Sequence, residues 1–331
     1  MPKLCVLAGD GIGQEVIPAA AEVLQAVIPD LEVITAEAGW ECFTKYGTSL
    51  PEESLEAVRA CGAGLFGAVS SPSYSVEGYR SSILMLRQGL GLYANIRPVR
   101  SWPMVSPRND IDMIIVRENS EGLYSGRERS DGQTAVAERV ITREASRRIA
   151  VRAVELARNL GRERLTIVHK ANVLPLSDGL FRDCVREVVE YSAAKNGFAL
   201  AVDELLVDVA ALKLLSQPER FDMLITTNLF GDILSDAASY WGGGLGMAPS
   251  LNWGDGVAIA EPVHGSAPDI AGKGIANPIA AILSGALLAR LVWDNEMAAE
   301  QIESAIFDAL ASNIDLSAGT AAFTEAILKR L

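Results

Sequence analysis

The stretch LCVLAGDGIGQEVIPAAAEVLQAV, residues 4–27, decides the fold. Leu4–Ala8 is an apolar run of strand length, Glu15–Val27 reads as a helix, and the glycines between them mark a turn. That turn, Gly9-Asp10-Gly11-Ile12-Gly13, has the spacing G-x-G-x-G and not the G-x-G-x-x-G of a dinucleotide fingerprint. An acidic residue about twenty positions on, Asp30 or Glu32, proves little in so acidic a chain. Two readings stay open here, a plain tight turn and a loop beside a ligand.

The alternation continues outward. Leu31–Ala36 is predicted as a strand, Pro51–Ala60 as a helix, Gly64–Val69 as a strand, Ser81–Gly89 as a helix and Tyr93–Val99 as extended. Strands alternating with helices predict an α/β fold with parallel pairing. Ile111–Arg117 and Ala135–Ile141 are β-rich and flank a polar, Gly-containing stretch, which predicts a hairpin-like excursion from the main sheet. Thr142 is placed to cap an amphipathic helix running to Asn159. Further β and α segments alternate from Leu165 to Trp241. The glycine-rich break at 242–246 precedes a last, mostly helical third, and no internal repeat is visible.

Composition narrows the function. With 331 residues, two lobes are expected. The net charge of −13 argues against a general nucleic-acid binder, whose electrostatics need clustered Lys and Arg. No run of apolar residues reaches the length of a membrane span. The opening MPKLCVLAGDGIG has too short an apolar run and too few basic residues for a signal peptide. Cys5, Cys42, Cys61 and Cys184 are scattered without C-x-x-C spacing, as expected of reduced cysteines in the cytoplasm. The only histidines, His169 and His264, exclude multi-histidine zinc sites and leave little room for a Ser-His-Asp design. Acid–base chemistry must therefore lean on Lys, Tyr, Asp or Glu.

Three clusters carry chemistry. Arg87, Arg97 and Arg117 stand at the ends of apolar segments, where a charge that cannot be removed must find an anion. They suit either a fork-like pocket for a di- or tricarboxylate or three separate structural ion pairs. In NLFGDILSD (228–236), Asp232 and Asp236 lie four apart, on one face of a helix. Such a pair offers hard oxygen ligands to Mg²⁺ or Mn²⁺, with Asp208 a candidate third. A solvated helix face is the bland alternative, though Leu and Ile interleave the acids. Lys170, at the C-terminal end of the strand before Ala171-Asn172, is a candidate proton acceptor and Tyr124 its possible partner acid. Either, read alone, is equally a surface residue.

Taken in order, the segments GDGIG (9–13), LYANIRP (92–98), VRENSEGLY (116–124), HKANVLP (169–175), TTNLFGDILSD (226–236) and EPVHGSAPDIAGKGIANP (261–278) closely resemble the β-decarboxylating dehydrogenases of isocitrate, isopropylmalate, homoisocitrate and tartrate. The resemblance spans almost the whole chain. It implies the two-domain α/β fold of that family, distinct from a Rossmann fold, with the active site in the interdomain cleft. Residues 1–99 with 252–331 would form the large, cofactor-binding domain. Residues 100–251 would form a small domain with the metal site, an intersubunit clasp within Glu118–Ile141 and the dimer interface. By the same resemblance, Arg87, Arg97 and Arg117 would hold substrate carboxylates. Asp232 and Asp236 would bind Mg²⁺ or Mn²⁺, with Asp208 reaching in from a partner subunit. Lys170, also crossing the interface, would take the hydroxyl proton as hydride leaves C2. Tyr124 would protonate the enolate left by decarboxylation, and Asn172 would sit beside nicotinamide or substrate.

The resemblance further assigns the adenosine-binding loop to His264, Gly265, Ser266, Ala267, Pro268 and Asp269, with Asn277 beyond it. A carboxylate at Asp269 accepts two ribose hydroxyls and repels a 2′-phosphate, which favours NAD over NADP. The segment GYRSSILMLR (78–87) would face the variable arm of the substrate. Its pattern is most similar to that of homoisocitrate enzymes, with Ser81, helped by Arg80 or Tyr79, meeting the distal carboxylate. It departs from some bacterial homoisocitrate enzymes in having Leu84 where they carry an arginine. Isocitrate (alone or as a dual activity), isopropylmalate and tartrate are the alternative substrates. A non-catalytic regulatory chain of this fold would lose the metal aspartates or the Lys/Tyr pair, and this chain keeps both.

Overall fold

The computed structural model describes residues 1–72, 74, 76–312, 315 and 318–331, the side chain of Asn196 excepted. In chain order the elements are β1 (Lys3–Gly9), α1 (Gly13–Val27), β2 (Glu32–Thr35), α2 (Trp40–Tyr46), α3 (Glu52–Cys61), β3 (Ala63–Ala68), α4 (Ser82–Gly89), β4 (Ala94–Arg100) and β5 (Asp112–Glu118). There follow β6 (Glu128–Ser130), β7 (Ala135–Ala137), α5 (Arg143–Asn159), β8 (Arg164–His169), α6 (Ser177–Asn196), β9 (Ala201–Leu206), α7 (Val207–Ser216), β10 (Met223–Thr226) and α8 (Asn228–Ser239). The chain ends with β11 (Pro249–Trp253), β12 (Ala258–Pro262), α9 (Ile279–Leu291), α10 (Glu296–Ala311) and α11 (Thr320–Leu328). Among the described residues no helix is long and apolar enough to cross a membrane.

The chain divides into two units, residues 1–92, 102–109 and 242–331 in the first and 93–101 with 110–241 in the second. The expected boundaries at 99/100 and 251/252 are displaced. Tyr93–Val99 joins the second unit because β4 pairs along its whole length with β5. Residues 242–251 join the first because β11 pairs antiparallel with β12.

In the first unit the strands run β2-β1-β3-β12-β11, parallel from β2 to β12. Parallel strands need both faces covered, and β3 is buried at every residue. Cys5, Leu7, Phe66 and Ile259 meet Val58 of α3 and Leu86 of α4 on one face. Helix α9, which packs against α1, α10, β11 and β12, is buried from Ile279 through Ala289, as a helix apolar on all sides must be. Each of its fully buried Ile and Leu side chains contributes about 1.5–3 kcal/mol. Gly285 lets it approach α1, since a Cβ there would stand 2.9 Å from Leu24 Cδ1.

The second unit runs β4-β5-β10-β8-β9, with only β4 antiparallel. Met113, Ile115, Val168 and Leu224 project to one face and pack on Ala210 and Leu214 of α7 and Leu234 and Ala238 of α8. Thr142 caps α5 as expected, its hydroxyl accepting from Ala145 N at 3.1 Å, worth about 1 kcal/mol. The hairpin differs from expectation. It pairs β6, inside the polar stretch, with β7, the first three residues of the β-rich segment 135–141, and residues 138–141 are not strand. A two-residue bridge, Gly122 to Val140, closes its base.

Candidate active site

In open parallel sheets, sites gather at the carboxyl ends of strands, and that is where β5 delivers Arg117 and β10 leads into α8. Arg117 is 2 % exposed. Its Nε and Nη2 both donate to Asn228 Oδ1, at 3.0 and 2.7 Å, and its Nη1 pairs with Asp232 Oδ1. From β4, Arg97 donates to Asn95 Oδ1 at 2.7 Å, Ser235 Oγ at 2.6 Å and Asp236 Oδ1 at 2.8 Å, and reaches Asp232 Oδ1 at 3.5 Å. Tyr124, in a short 3₁₀ turn, donates to Asp232 Oδ2 at 2.6 Å and lies 5.2 Å from the Arg117 guanidinium. Two arginines, two aspartates and a phenol thus form one cluster.

Its electrostatics follow from burial and like charge. Burial, then the bond it donates to Asp232 and that carboxylate's charge, push the Tyr124 phenol above its ordinary value, so it keeps its proton. Burial, with the neighbouring Asp232 charge adding to it, raises Asp236 against the opposing pull of Arg97. Two carboxylates one helical turn apart are a donor set of hard oxygens that suits Mg²⁺ or Mn²⁺. Asp208 lies elsewhere. Read from sequence as a strand end, it is the second residue of α7, exposed, and paired with Lys170 Nζ, which holds its carboxyl below the ordinary range. Among the described residues no three His, Cys, Asp or Glu side chains gather to hold a metal. One chain supplies two of the three expected ligands together and the third apart, beside the candidate base.

Lys170 follows the last residue of β8, its backbone N–H donating to Asp178 Oδ2 at 2.6 Å. Asn172 is exposed, and so are Val173 and Leu176 beyond it.

Arg87 belongs to the first unit, on α4, and donates to Glu261 Oε1 at 2.8 Å; Asn252 Nδ2 shares that oxygen at 2.8 Å. The arginines therefore fall into a pair and a singleton. Ser81 stands at the N-cap of α4 without spending its hydroxyl on a cap bond. Of its expected helpers, Arg80 is bound to Gln88, and Tyr79 is stacked edge-on against Trp40 and Phe43 with its hydroxyl on Ser70 O.

The Gly9–Gly13 turn meets the loop expected to bind adenosine. Ile12 N donates to Ser266 O at 2.9 Å, and a Cβ on Gly11 would overlap that carbonyl. The Ser266 hydroxyl meets Ser70 Oγ at 3.0 Å. Asp10 is fully engaged, accepting Trp40 N, Glu41 N and Ser70 N. His264 leans on Gly265 O, and burial lowers its imidazole below 6.5. Ala267 adopts a φ of 40°, uncommon without glycine, while Gly265, Pro268 and Asp269 are exposed. Asn277 Oδ1 accepts Ile279 N at 2.9 Å and sets the start of α9. Glu15 and Thr320 clasp the far end of the loop: Glu15 takes Gly272 N at 2.7 Å, and Thr320 donates to Ala276 O at 2.6 Å.

Asn228, Gly231, Ser235 and Glu261 were not among the residues singled out from sequence. Asn228 is the one with a signal, as the residue opening the D-x-x-x-D helix. Gly231 carries none, yet a Cβ there would overlap Thr226 Oγ1 and stand 2.6 Å from Arg117 Cγ.

A profile of the isocitrate/isopropylmalate dehydrogenase family matches residues 3–329. The isocitrate/homoisocitrate dehydrogenase of Thermus thermophilus is 50 % identical over 334 residues, covering 99 % of this chain and 98 % of its own. The 3-isopropylmalate dehydrogenase of Methanothermobacter thermautotrophicus is 46 % identical, covering 94 % and 92 %. The crystal structure of isocitrate dehydrogenase from Methylococcus capsulatus superposes with a TM-score of 0.92 at 39 % identity, over 100 % of this chain and 99 % of that one. The chain belongs to the isocitrate/isopropylmalate dehydrogenase family and is an oxidoreductase that oxidatively decarboxylates a hydroxy acid.

Proposed function

We propose that the protein oxidises homoisocitrate with NAD and Mg²⁺ or Mn²⁺ and releases CO₂ to give 2-oxoadipate, in the cytoplasm. The observation that carries the reaction class is the cluster of Arg97 on β4, Arg117 near the end of β5, Tyr124 in its 3₁₀ turn, and Asp232 and Asp236 on α8. A divalent cation held by the two aspartates would supply Lewis acidity toward the substrate oxygens, and NAD held by the His264–Asp269 loop, with Asn277, would supply the hydride acceptor. Arg97 and Arg117, unable to lose charge, bind carboxylates of the substrate and hold the scissile one in place. Lys170 accepts the hydroxyl proton. Tyr124, held protonated, returns a proton to the carbon that has lost CO₂.

Lys170 and Asp208 complete a site only from a second protomer in this reading. Its support is the face that carries them. On α7 Asp208 shares its side with the exposed Leu212 and Leu215, at spacings of four and seven residues. On α8 the exposed Ile233, and just past its end the exposed Tyr240, flank Asp236. Those apolar side chains suit a two-fold interface, and a homodimer is the smallest complete enzyme.

Substrate choice turns on α4. Ser81, Leu84 and Arg87 recur every third residue, on one side of the helix. The Ser81 hydroxyl supports a polar distal arm. Leu84, 38 % exposed, supports the second reading, an apolar arm such as that of 3-isopropylmalate. Initial rates with homoisocitrate, isocitrate, 3-isopropylmalate and tartrate, each with NAD and Mg²⁺, test this as kcat/KM. A lead for homoisocitrate that Ser81→Ala removes sustains the proposal; a lead for another acid replaces the substrate and leaves the reaction class standing.

A further inference from the structure

An ion pair behind the Lys170 loop, its carboxylate wholly buried and its arginine half-buried, has no part in the chemistry above. Asp178, in the first turn of α6, is wholly buried and pairs with Arg139, which arrives from the returning limb of the hairpin. The other carboxylate oxygen, Oδ2, accepts the backbone N–H of Lys170 at 2.6 Å. The other arm of the guanidinium donates from Nη2 to Thr227 Oγ1 at 2.9 Å, and the Phe230 ring lies 5.1 Å beneath it.

Thr227 occupies the N-cap of α8, where a threonine hydroxyl ordinarily accepts from the first turn of its own helix. Here it makes no cap bond and serves Arg139 instead. Removing either partner of a buried ion pair is costly, whereas replacing both by apolar residues often is not, so such a pair is weak evidence of a stabilising role. What this one supplies is reach. A planar guanidinium holds two acceptors on separate segments at fixed angles, and an ammonium cannot.

We propose that Arg139 is a positioning residue that, with Asp178 and Thr227, braces the main chain at Lys170 against the start of α8, which bears Asp232 and Asp236. The inference rests on the reading of Lys170 and α8 given under Proposed function. In the proposed dimer the brace ties the part of the site that each protomer keeps to the part that it lends.

Arg139→Lys and Thr227→Val separate the brace from the fold. The first keeps the charge beside Asp178, and the second leaves the ion pair whole. Both are expected to lower kcat about ten- to a hundredfold, the range for losing an outer partner of a site residue. Substrate KM and Mn²⁺ affinity, read by electron paramagnetic resonance, should stay within about threefold. Thr227→Ser, which keeps the hydroxyl, should restore kcat. Wild-type kcat in both folded variants would overturn the brace. So would an equal loss in Thr227→Val and Thr227→Ser, or a fall in Mn²⁺ affinity matching the fall in kcat. Lys170→Met serves as control: undiminished kcat there would sink the reading of Lys170 and the brace with it, whereas a lost kcat beside unaffected brace variants would sink the brace alone.

Discussion

The phenol of Tyr124 donates to Asp232 Oδ2 at 2.6 Å, so the candidate acid and a candidate metal ligand share one hydrogen bond. The opposite oxygen of the same carboxylate holds Arg117. Asp232 is thus the junction of three roles, and its removal should not resemble the removal of any one of them.

Asp232→Asn is expected to abolish measurable Mn²⁺ binding and lower kcat by at least about a hundredfold, beyond what loss of an outer partner costs. It should also destabilise the fold by about 2 kcal/mol, less than a fully buried pair because Asp232 is partly exposed. Tyr124→Phe, in contrast, should lower kcat by about 10²–10⁴ while Mn²⁺ still binds. Titration calorimetry with Mn²⁺ on both variants decides the matter; parallel losses in the two would mean that Tyr124 acts only by shaping the metal site.

Gly231→Ala tests how closely Arg117, the proposed carboxylate binder, is packed. An added methyl would overlap Thr226 Oγ1 and press on the Arg117 stem, so something must shift. Overpacking of this kind costs about 1–3 kcal/mol. A displaced Arg117 stem would raise substrate KM along with the loss in Tm, and that is the expected outcome. An unchanged KM in a destabilised variant would place the strain on Thr226 alone.

His264 gives a pH dependence whose sign is fixed. Burial keeps its imidazole below 6.5, and its Nε2 is buried without a partner among the described residues. Below 6.5 the unfolded chain takes up a proton that the folded one refuses, so stability falls as pH drops through the window between the two values. Above that window neither state is charged and the effect is absent. Thermal denaturation from about pH 7.5 to about pH 5.5 should therefore lower Tm more in the wild type than in His264→Gln. Coincident curves would show that the ring protonates freely in the folded protein.

The legible parts of this molecule are those whose signals are local. A strand, a glycine turn and a helix could be read from residues 4–27 because each is set by near neighbours, and Thr142 was recognisable as a cap for the same reason. The i, i+4 spacing placed Asp232 and Asp236 together without any knowledge of the sheet. Helix α2 has no legible signature, because seven residues are too few for a period to show. The hairpin was misplaced because β-rich composition at residues 138–141 does not say whether a segment pairs or merely returns. Long-range facts had no local trace. Ser266 meets the Gly9–Gly13 turn across some 250 residues, and nothing in the sequence around Asp178 announces that it is wholly buried. The resemblance supplied site residues that spacing could not, but it named neither Gly231 nor the carboxylate that holds Arg87.

One further consequence belongs to the bridge between Gly122 and Val140, whose backbones exchange hydrogen bonds at 2.8 and 3.3 Å. It ties off the excursion at its neck. Beyond it the ribbon of β6 and β7 is exposed at every residue, joined across by its backbone pairing and the Arg129–Glu138 ion pair. A loop anchored so close to its root can lengthen at small entropic cost, since closure grows only with the logarithm of length. The tip, residues 131–134, is therefore the natural place for lineage-specific insertions, tags or swapped recognition segments. Such changes would leave Tyr124 and Arg139, on the near side of the ribbon, in register with the rest of the fold.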